Sequence, residues 1–488
     1  MKSSPTGSWV DCMLWACLRF PLLPLEALAR SDPDDTPLAI AEGATRPRIL
    51  ACNARAHAVG ICTGMDVSAA LALAPRLRVH ARKRTLESRA LEEIAQWASQ
   101  FTPAPSLEGE DSVLLEIGGG LKLFGGPERA IAAIRAGLPA LGFSALAAAA
   151  PTPTAALMLA RAHRERMIVD AALLRRELAP LPIAAVDCPE QSMQALADIG
   201  VHTVGALLAL PRDGLSRRFG PGLIATLDRA LGRLPDPRLP FAAPEQFSTR
   251  LELPAPAWEV EALLFGSRRL LAALGGWLRG RGLGAMRLRL DLIHEDGPPS
   301  LLALNLSTPS RDPAHLGALL RERLERTRLP ARVEAIVLAT EQCEPLTGRD
   351  LSLFPGVEAA EDSHLIERLC ARLGDEAVCA LRPYPDHRPE LAWRTHPPAR
   401  TSPALLPPGP RPLWLLAQPQ RLDQFLRGAQ PPVALIDGPE RIESGWWEDR
   451  DVRRDYFLAR TRSGQTLWVF KEKSGTDPDS WHVHGIFA

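Results

Sequence analysis

The chain has 488 residues, which is too long for one hydrophobic core, and at roughly 100–200 residues per domain it predicts about three domains. Lysine plus arginine and aspartate plus glutamate both number 57, so the formal net charge of zero excludes a protein drawn to nucleic acid by its overall charge. The eight cysteines form no C-x-x-C pair and no signal-length apolar segment opens the chain, so the sequence predicts a cytoplasmic protein with reduced thiols.

The first predicted strand, residues 13–20 with the sequence MLWACLRF, is a continuous apolar run that ends at Pro21. Its polar members are Cys17 and Arg19. A thiol is a poor ligand for Mg²⁺, which prefers oxygen, and a cation at Arg19 would repel a metal. The run is therefore expected to be a plain core strand.

A segment rich in small residues follows short predicted strands at 38–42 and 49–52 and precedes a helix predicted at 67–73. Its glycines allow close approach of the backbone to a ligand, and Arg55 could hold a phosphate in its guanidinium fork. His57 is expected to be structural.

Residues 105–126, PSLEGEDSVLLEIGGGLKLFGG, hold the first candidate for chemistry. A strand predicted at 113–117 follows the acids Glu108, Glu110 and Asp111. Carboxylates at a strand end could hold a divalent metal for phosphoryl transfer, but a working site needs more carboxylates from a second strand. Acids on a solvated loop are an equally good interpretation.

The elements around this stretch predict a sheet. Helices are predicted at 86–101, 130–141 and 154–164, and a further strand at 144–150. This order indicates an α/β sheet covered by helices on one face.

Short helices are predicted at 190–198, 204–208, 211–219 and 223–231. The turn at residues 196–205 could offer backbone amides to a phosphate, or could simply form a corner between two helices. A proline-rich linker at 235–244 indicates a domain boundary.

Residues 250–340 follow the order strand, helix, strand, strand, helix, strand, which predicts a compact α+β domain. Arginines are concentrated in this domain: Arg268, Arg269, Arg279, Arg281, Arg287 and Arg289. Arg287 and Arg289 alternate with apolar residues and share one strand face, where a DNA backbone could lie. A solvated sheet face is the alternative.

Residues 343–412 are rich in proline and polar residues, with one helix predicted at 362–373, and are expected to form a tether. Within them Leu351, Leu353 and Phe354 are apolar residues in a short extended segment bounded by Pro-Gly. This pattern suggests a linear docking motif for a pocket on another protein. The alternative is a loop packed on its own domain.

The tail, residues 413–488, returns to strand patterning, with a hairpin turn predicted at Ser463-Gly464. Its aromatic residues could stack bases or anchor a partner, or could form the core of a small domain. The candidates for partner binding are Trp446, Trp447, Tyr456, Trp468 and Trp481.

Three blocks resemble the Y-family of translesion DNA polymerases: ILACNARAHAVGICTGMDVSAALALAP at 49–75, PSLEGEDSVLLEI at 105–117 and ALADIGVHTVGALLALPRDGLSRRFG at 195–220. The resemblance implies an α+β multidomain fold and binding of DNA through arginines. The implied domains are a palm (13–28 and 82–178), fingers (29–81), a helical thumb (179–240) and a little finger (247–341), and the residue patterns described above add a linker (343–412) and a small β-rich C-terminal partner-binding domain (413–488). The candidate DNA-binding residues are Arg55, Arg217, Arg218, Arg268, Arg269, Arg287 and Arg289.

The departures from the family concern its metal ligands. Active members carry a metal-binding Asp where this chain has Cys17, and an Asp-Glu pair where it has Asp111 and Ser112. At best one of three carboxylates survives, and one carboxylate cannot hold the two Mg²⁺ ions that in-line attack requires. The bulky steric-gate residue also has no clear counterpart, and residues 187–190 replace the first glycine-rich hairpin of the thumb.

The tail segments GPERIESGWW (438–447), RRDYF (453–457) and HVHGIFA (482–488) are similar to the non-catalytic, polymerase-like proteins of bacterial mutagenesis cassettes. That resemblance implies an adaptor without a metal or other cofactor, induced by DNA damage in the SOS response. It also implies four partners: DNA, the β sliding clamp, an error-prone DnaE-type polymerase and the RecA-like protein ImuA.

The resemblance places the clamp-binding peptide at Asp350-Leu351-Ser352-Leu353-Phe354, where Asp350 replaces the usual Gln. Two alternatives stay open. One is an active Y-family polymerase that uses Glu108, Glu110 or Asp111 with rearranged ligands, and the other is a DNA-binding protein with no clamp partner.

Overall fold

The computed structural model describes residues 13–29, 36–346, 357–396, 398, 410–426, 434–447, 451–473 and 480–487, with side chains of the helix at 357–373 described from His364 onward. The chain divides into two compact units, residues 1–372 and 373–488. The predicted α+β multidomain fold with a β-rich C-terminal part is confirmed. None of the described helices is both long enough and apolar enough to span a bilayer.

The first unit opens with one strand of a larger sheet and then forms a small three-stranded sheet. The elements are β1 (Trp15–Arg19), α1 (Leu23–Ala29), β2 (Leu38–Glu42), β3 (Arg48–Cys52), α2 (Ala54–Ala58), α3 (Val67–Leu73) and β4 (Arg78–Ala81). The small sheet has the order β3-β2-β4, with β4 parallel to β2. Asn53 caps α2, since its side-chain oxygen accepts a hydrogen bond from the amide of Ala56 at 2.9 Å.

The four-stranded sheet that positions the predicted acids comes next. Its elements are α4 (Arg84–Ala98), β5 (Ser106–Glu108), β6 (Ser112–Glu116), α5 (Leu121–Phe124), α6 (Pro127–Leu141), β7 (Leu146–Ala150) and α7 (Pro153–Arg161). The strand order is β5-β6-β1-β7, and all neighbours are antiparallel. In this register Arg19 lies opposite Ser112, which brings the end of β1 beside the acid-bearing loop.

Helices cover both faces of this sheet, so the prediction of one covered face is wrong. Leu18 and Val113 point into a core shared with α4 and α6, whereas Cys17, Leu114 and Ala148 point into a second core with α7. The reason is the period of two along a strand: residues 16–18 of β1 and 112–115 of β6 are all apolar or small and are buried on both faces, while the charged Arg19 and Glu116 lie at the strand ends.

Five short helices follow: α8 (Leu174–Leu178), which was not predicted, and then the four predicted ones, α9 (Glu190–Asp198), α10 (Val204–Ala209), α11 (Arg212–Phe219) and α12 (Pro221–Ala230). Their apolar residues pack into the second core, beside α7. The turn between α9 and α10 contains Gly200 with a φ of 81°, and Thr203 caps α10.

The predicted βαββαβ order is present. The elements are β8 (Ser248–Ala257), α13 (Val260–Arg281), β9 (Leu283–His294), β10 (Ser300–Ser310), α14 (Pro313–Arg326), β11 (Val333–Pro345) and then α15 (Val357–Leu373). The sheet order is β10-β9-β11-β8. Helix α13 packs closely on α4 because Gly276 has no Cβ, and a Cβ there would lie 2.4 Å from Cδ1 of Trp97. One hydrophobic core therefore runs from the β5-β6-β1-β7 sheet through α13 to the β10-β9-β11-β8 sheet, which is called the second sheet below.

The second unit is mainly β. Its elements are β12 (Ala380–Pro383), β13 (Trp393–His396), β14 (Trp414–Arg421), α16 (Leu422–Phe425), β15 (Ala434–Ser444), β16 (Val452–Arg460), β17 (Thr466–Glu472) and β18 (Trp481–Ile486). Five strands form one antiparallel sheet with the order β14-β18-β17-β16-β15, and the hairpin turn at Gly464 has the expected positive φ of 89°. The β12–β13 hairpin belongs to this unit, so the unit includes described residues before 413, the predicted start of the C-terminal domain.

Candidate functional site

Cys17 lies in the middle of β1, with Leu114 of β6 and Ala148 of β7 opposite it. Its side chain is buried in the core beneath α7. Burial first, and then the nearby Asp111 carboxylate, raises the pKa of the Cys17 thiol to about 12. The thiol is therefore protonated at neutral pH and offers a cation an uncharged sulfur in place of an anionic oxygen.

Arg19 ends β1 and forms an ion pair with Asp111. Its Nε donates a hydrogen bond to Oδ2 of Asp111 at 2.8 Å, and its Nη1 donates to the carbonyl oxygen of Arg161 at 3.2 Å. The Oγ of Ser112 donates to the other carboxylate oxygen, Oδ1, at 2.8 Å. Both oxygens of Asp111 thus accept hydrogen bonds from neighbouring side chains, one of them from a permanent cation.

Arginines also hold the other two predicted acids. Glu110 accepts from Nη2 of Arg82 at 2.9 Å and, through its other oxygen, from Arg84. Glu108 accepts from Nη1 of Arg238 at 2.7 Å. Each carboxylate that the sequence offered as a metal ligand is therefore paired with at least one guanidinium.

Arg82 connects the acid-bearing loop to the small sheet. Its guanidinium also binds Glu87, at 2.6 Å from Oε2, and Glu42 at 3.2 Å. The hydrogen bonds to Glu87 raise the pKa of Arg82, and the hydrogen bond from Arg84 lowers the pKa of Glu42. These pairs fix the loop in one position by connecting it to two other elements.

The arrangement does not fit a two-metal centre. A divalent ion beside Asp111 would have to displace Arg19 and then lie next to the protonated thiol of Cys17. Two ions that bind opposite ends of a phosphoryl transfer lie about 3.5–4 Å apart and need several carboxylate oxygens between them. Here the cation is supplied by the protein itself.

The predicted DNA-binding arginines of the second sheet lie on its open face, and each has an acidic partner. Arg287 Nε is 2.8 Å from Oε2 of Glu341, and Arg289 Nε is 3.0 Å from Oδ1 of Asp291. Arg289 also lies 3.7 Å from Glu341. Leu288 and Leu290 point the other way, into the core, so the two arginines lie on the exposed face. That face carries charges of both signs, because the acids lie beside the arginines.

The other predicted arginines lie elsewhere. Arg268 and Arg269 are on α13, on the opposite layer from the open sheet face, and the guanidinium of Arg269 stacks 4.2 Å above the ring of Phe265. Arg55 is exposed on α2, and Arg217 and Arg218 are exposed in the last turn of α11. The sequence cluster at 268–289 is thus divided between two layers, because a helix and the strand after it lie on different layers of the domain.

The predicted partner-binding aromatics divide into core and surface residues. Tyr456 and Trp468 are 1% and 2% exposed, and Tyr456 Oη lies 2.6 Å from Nδ1 of the buried His484. The prediction that Tyr456 and Trp468 bind a partner is therefore wrong, since a partner cannot reach side chains inside the core. Trp446 and Trp447 are 75% and 57% exposed and pack edge to face.

Two further tryptophans of the second unit differ in exposure. Trp481 is half-buried against Phe457, with ring centroids 5.3 Å apart. Trp414, at the start of β14, is 68% exposed and was not predicted as a binding residue. The sequence feature that could have indicated an exposed Trp414 is its position directly after the proline-rich stretch, where a large aromatic residue has few neighbours along the chain.

The predicted clamp-binding peptide, Asp350 to Phe354, lies outside the described residues. Its neighbours on either side are described. Strand β11 ends at Pro345, and α15 begins at Val357.

Comparison with known proteins identifies relatives of this chain. Residues 23–161 match the impB/mucB/samB family. The chain is 29% identical over 459 residues to Protein ImuB of Caulobacter vibrioides, in strain NA1000 / CB15N and equally in strain ATCC 19089 / CIP 103742 / CB 15, covering 88% of this chain and 100% of the relative. These matches confirm the resemblance predicted from the tail and the polymerase-like blocks.

Solved structures of Y-family DNA polymerases are also similar. The insertion ternary complex of Dbh DNA polymerase is 17% identical, covers 67% of this chain and 98% of its own, and has a TM-score of 0.40. DinB from Sulfolobus solfataricus is 18% identical over the same shares of the two chains, with a TM-score of 0.38.

Proposed function

Because this chain is ImuB-like along most of its length, we propose that it is a non-catalytic, polymerase-like adaptor for DNA-damage-induced translesion synthesis. One observation carries the proposal: the ion pair between Arg19 and Asp111, beside the buried thiol of Cys17. In a working polymerase this position binds magnesium, and here a guanidinium neutralises the carboxylate. The chain keeps the polymerase scaffold without the charge distribution that phosphoryl transfer needs.

The domain assignments follow the same proposal. The four-stranded sheet corresponds to a palm, the β2–β4 sheet to fingers, helices α8–α12 to a thumb, and the β8–β11 domain to a little finger. Their order along the chain supports this assignment. Helix α13 packs on α4 through Gly276 and Gly280, so the proposed little finger and palm share one core.

The proposed partners are DNA, the β sliding clamp, a DnaE-type error-prone polymerase and ImuA. The peptide Asp350 to Phe354 would bind the clamp, and the exposed Trp446 and Trp447 would contact a protein partner from the second unit. Large aromatic residues at the surface often anchor interfaces. A chain bound to the clamp raises the local concentration of everything else that it holds, so contacts that are weak singly become effective together.

The purified chain should not extend a primed template with Mg²⁺ or Mn²⁺, because Asp111 is its one carboxylate at the aligned metal positions and is paired with Arg19. The measurement is single-turnover primer extension with enzyme in excess. An active Y-family polymerase under identical conditions is the positive control. Metal-dependent, template-directed incorporation that disappears in Asp111→Asn would establish the enzyme alternative and overturn the proposal.

DNA binding should respond to the acid that neutralises the open sheet face. In Glu341→Gln, Arg287 and Arg289 lose their shared partner, so affinity for duplex DNA should rise several-fold. In the Arg287→Ala, Arg289→Ala double variant, affinity should fall and the salt dependence should flatten by about one unit of slope for each lost phosphate contact. The measurement is fluorescence anisotropy across a series of salt concentrations.

The matched control for this surface is Glu252→Gln, whose partner is Arg250 on the edge strand β8 of the same sheet. It removes the same charge without freeing Arg287 or Arg289, so it separates a local effect from a change in total charge. Equal affinities for Glu341→Gln, Glu252→Gln and the original chain would show that this face is simply solvated.

A further inference from the structure

A second group of chemically reactive side chains lies between α14 and α15. His315 is on α14, and His364 and Glu367 are on α15. One ligand atom from each residue lies within 4.8 Å of the others. No pattern of neighbouring residues in the sequence indicated this cluster, because His315 is far along the chain from the other two.

Glu367 is held in place as a metal ligand would be. It is 4% exposed, and its Oε1 accepts hydrogen bonds from the amide and Oγ of Ser307 at 2.7 and 2.6 Å. Its Oε2 lies 2.7 Å from Nε2 of His315. Burial acts to raise the pKa of this carboxyl, but the hydrogen bonds from His315 and Ser307 outweigh it and hold the pKa below its ordinary value.

The two imidazoles lie side by side next to that carboxylate. The rings of His315 and His364 stack with centroids 4.0 Å apart and an interplanar angle of 23°. His364 and Glu367 are three positions apart on one helix, so their side chains share a face. His364 is exposed to solvent, whereas His315 and Glu367 are shielded, which leaves the cluster open on one side only.

We propose that His315, His364 and Glu367 bind one divalent transition-metal ion of the Zn²⁺ class. Two imidazoles and one carboxylate suit borderline ions such as Zn²⁺, Co²⁺ and Ni²⁺, whereas Mg²⁺ and Ca²⁺ prefer oxygen ligands. Solvent at the open side would supply a fourth ligand.

A bound ion is within reach once the exposed His364 ring turns out of its stack on His315, because a metal lies in the plane of each imidazole that binds it. Tetrahedral ligands at about 2.0–2.1 Å from zinc lie roughly 3.3 Å apart, so the His315 and Glu367 atoms need to separate by about 0.6 Å. The ion would replace the hydrogen between them. Ser307 would continue to hold the other oxygen of Glu367, in the supporting position that outer hydrogen bonds take at metal sites.

A bound ion would fix α15 to the βαββαβ domain. Helix α15 begins at Val357, directly after the proposed clamp-binding peptide and Pro355-Gly356. The ion would thus hold in place the helix that follows that peptide in the sequence. The metal site does not depend on the adaptor proposal, since it would exist whether or not the peptide binds a clamp.

The test is a titration of the full chain, free of affinity tag and treated with chelator, with Co²⁺ and then Zn²⁺. We expect one tightly bound ion per chain and a Co²⁺ visible spectrum of four-coordinate intensity, which Zn²⁺ abolishes. His364→Gln should weaken binding at least tenfold, since loss of even a supporting group at metal sites costs about 10–100-fold. His57→Gln, at another exposed histidine, is the matched control and should bind like the original chain.

Thermal unfolding separates loss of the site from loss of the fold. His364 is exposed, so in chelator the original chain and His364→Gln should melt at the same temperature, and Zn²⁺ should stabilise only the original chain. Two results would overturn the proposal. One is the lack of a stoichiometric ion on the original chain, and the other is an ion whose affinity is unchanged in His364→Gln.

Discussion

Cys17→Asp should destabilise the first unit by about 3–5 kcal/mol, the range observed when a charge is left buried without a partner. The new carboxylate would lie in the core between Leu114 and Ala148, close to Asp111, and Arg19 already pairs with Asp111. An active polymerase offsets the same charge with magnesium. The measurement is equilibrium denaturation with and without Mg²⁺.

Cys17→Ser is the matched control, because it keeps the size of the side chain and adds no charge. We expect it to cost about 1 kcal/mol, as an ordinary buried substitution does. A Cys17→Asp chain whose stability Mg²⁺ restores would show that the position still accepts a metal. In that case the enzyme alternative would regain its basis.

The architecture of the first unit was predictable because its helices and strands have strong periodic patterns. Helix α3 and helix α9 begin and end at the predicted residues, and the βαββαβ order is as expected. Strand β4 was missed because its four residues carry two charged or polar side chains and no apolar run. It is a strand because β2 provides a parallel partner.

The candidate site was predictable in part. The sequence alone shows that the first strand carries the thiol of Cys17 and the cation of Arg19 at positions where a metal site would need carboxylates. The pairing of Arg19 with Asp111 does not, because it depends on the register that places Arg19 opposite Ser112. Likewise, local sequence could not reveal that Arg238 would reach Glu108 across 130 positions of chain.

Surface chemistry was the hardest to predict, since it depends on which face each side chain occupies. Arg287 and Arg289 were correctly assigned to one strand face, but their neutralisation by Glu341 comes from the adjacent strand β11. In the second unit, Tyr456 and Trp468 looked equivalent to Trp446 in sequence. Strand pairing buries the first two, and the loop after β15 exposes the third.

The Leu353→Ala, Phe354→Ala double variant should abolish capture of the β sliding clamp. Buried apolar anchors of an interface commonly contribute about 2 kcal/mol each, so the pair should weaken binding roughly 1000-fold. The resemblance to clamp-binding peptides also implies that Asp350→Gln should strengthen binding, since it restores the usual first residue. The measurement is surface plasmon resonance with immobilised clamp and the full chain in solution.

A second double variant, Trp446→Ala with Trp447→Ala, separates the clamp contact from contacts made by the second unit. These side chains are exposed, so their removal should leave folding and clamp affinity unchanged while capture of the DnaE-type polymerase or of ImuA falls. Such a division would support an adaptor with two independent attachment points.

If the clamp binds the Leu353→Ala, Phe354→Ala chain as tightly as the original, the peptide at 350–354 is not its contact. If the tryptophan variant alone loses the clamp, the contact lies on the second unit.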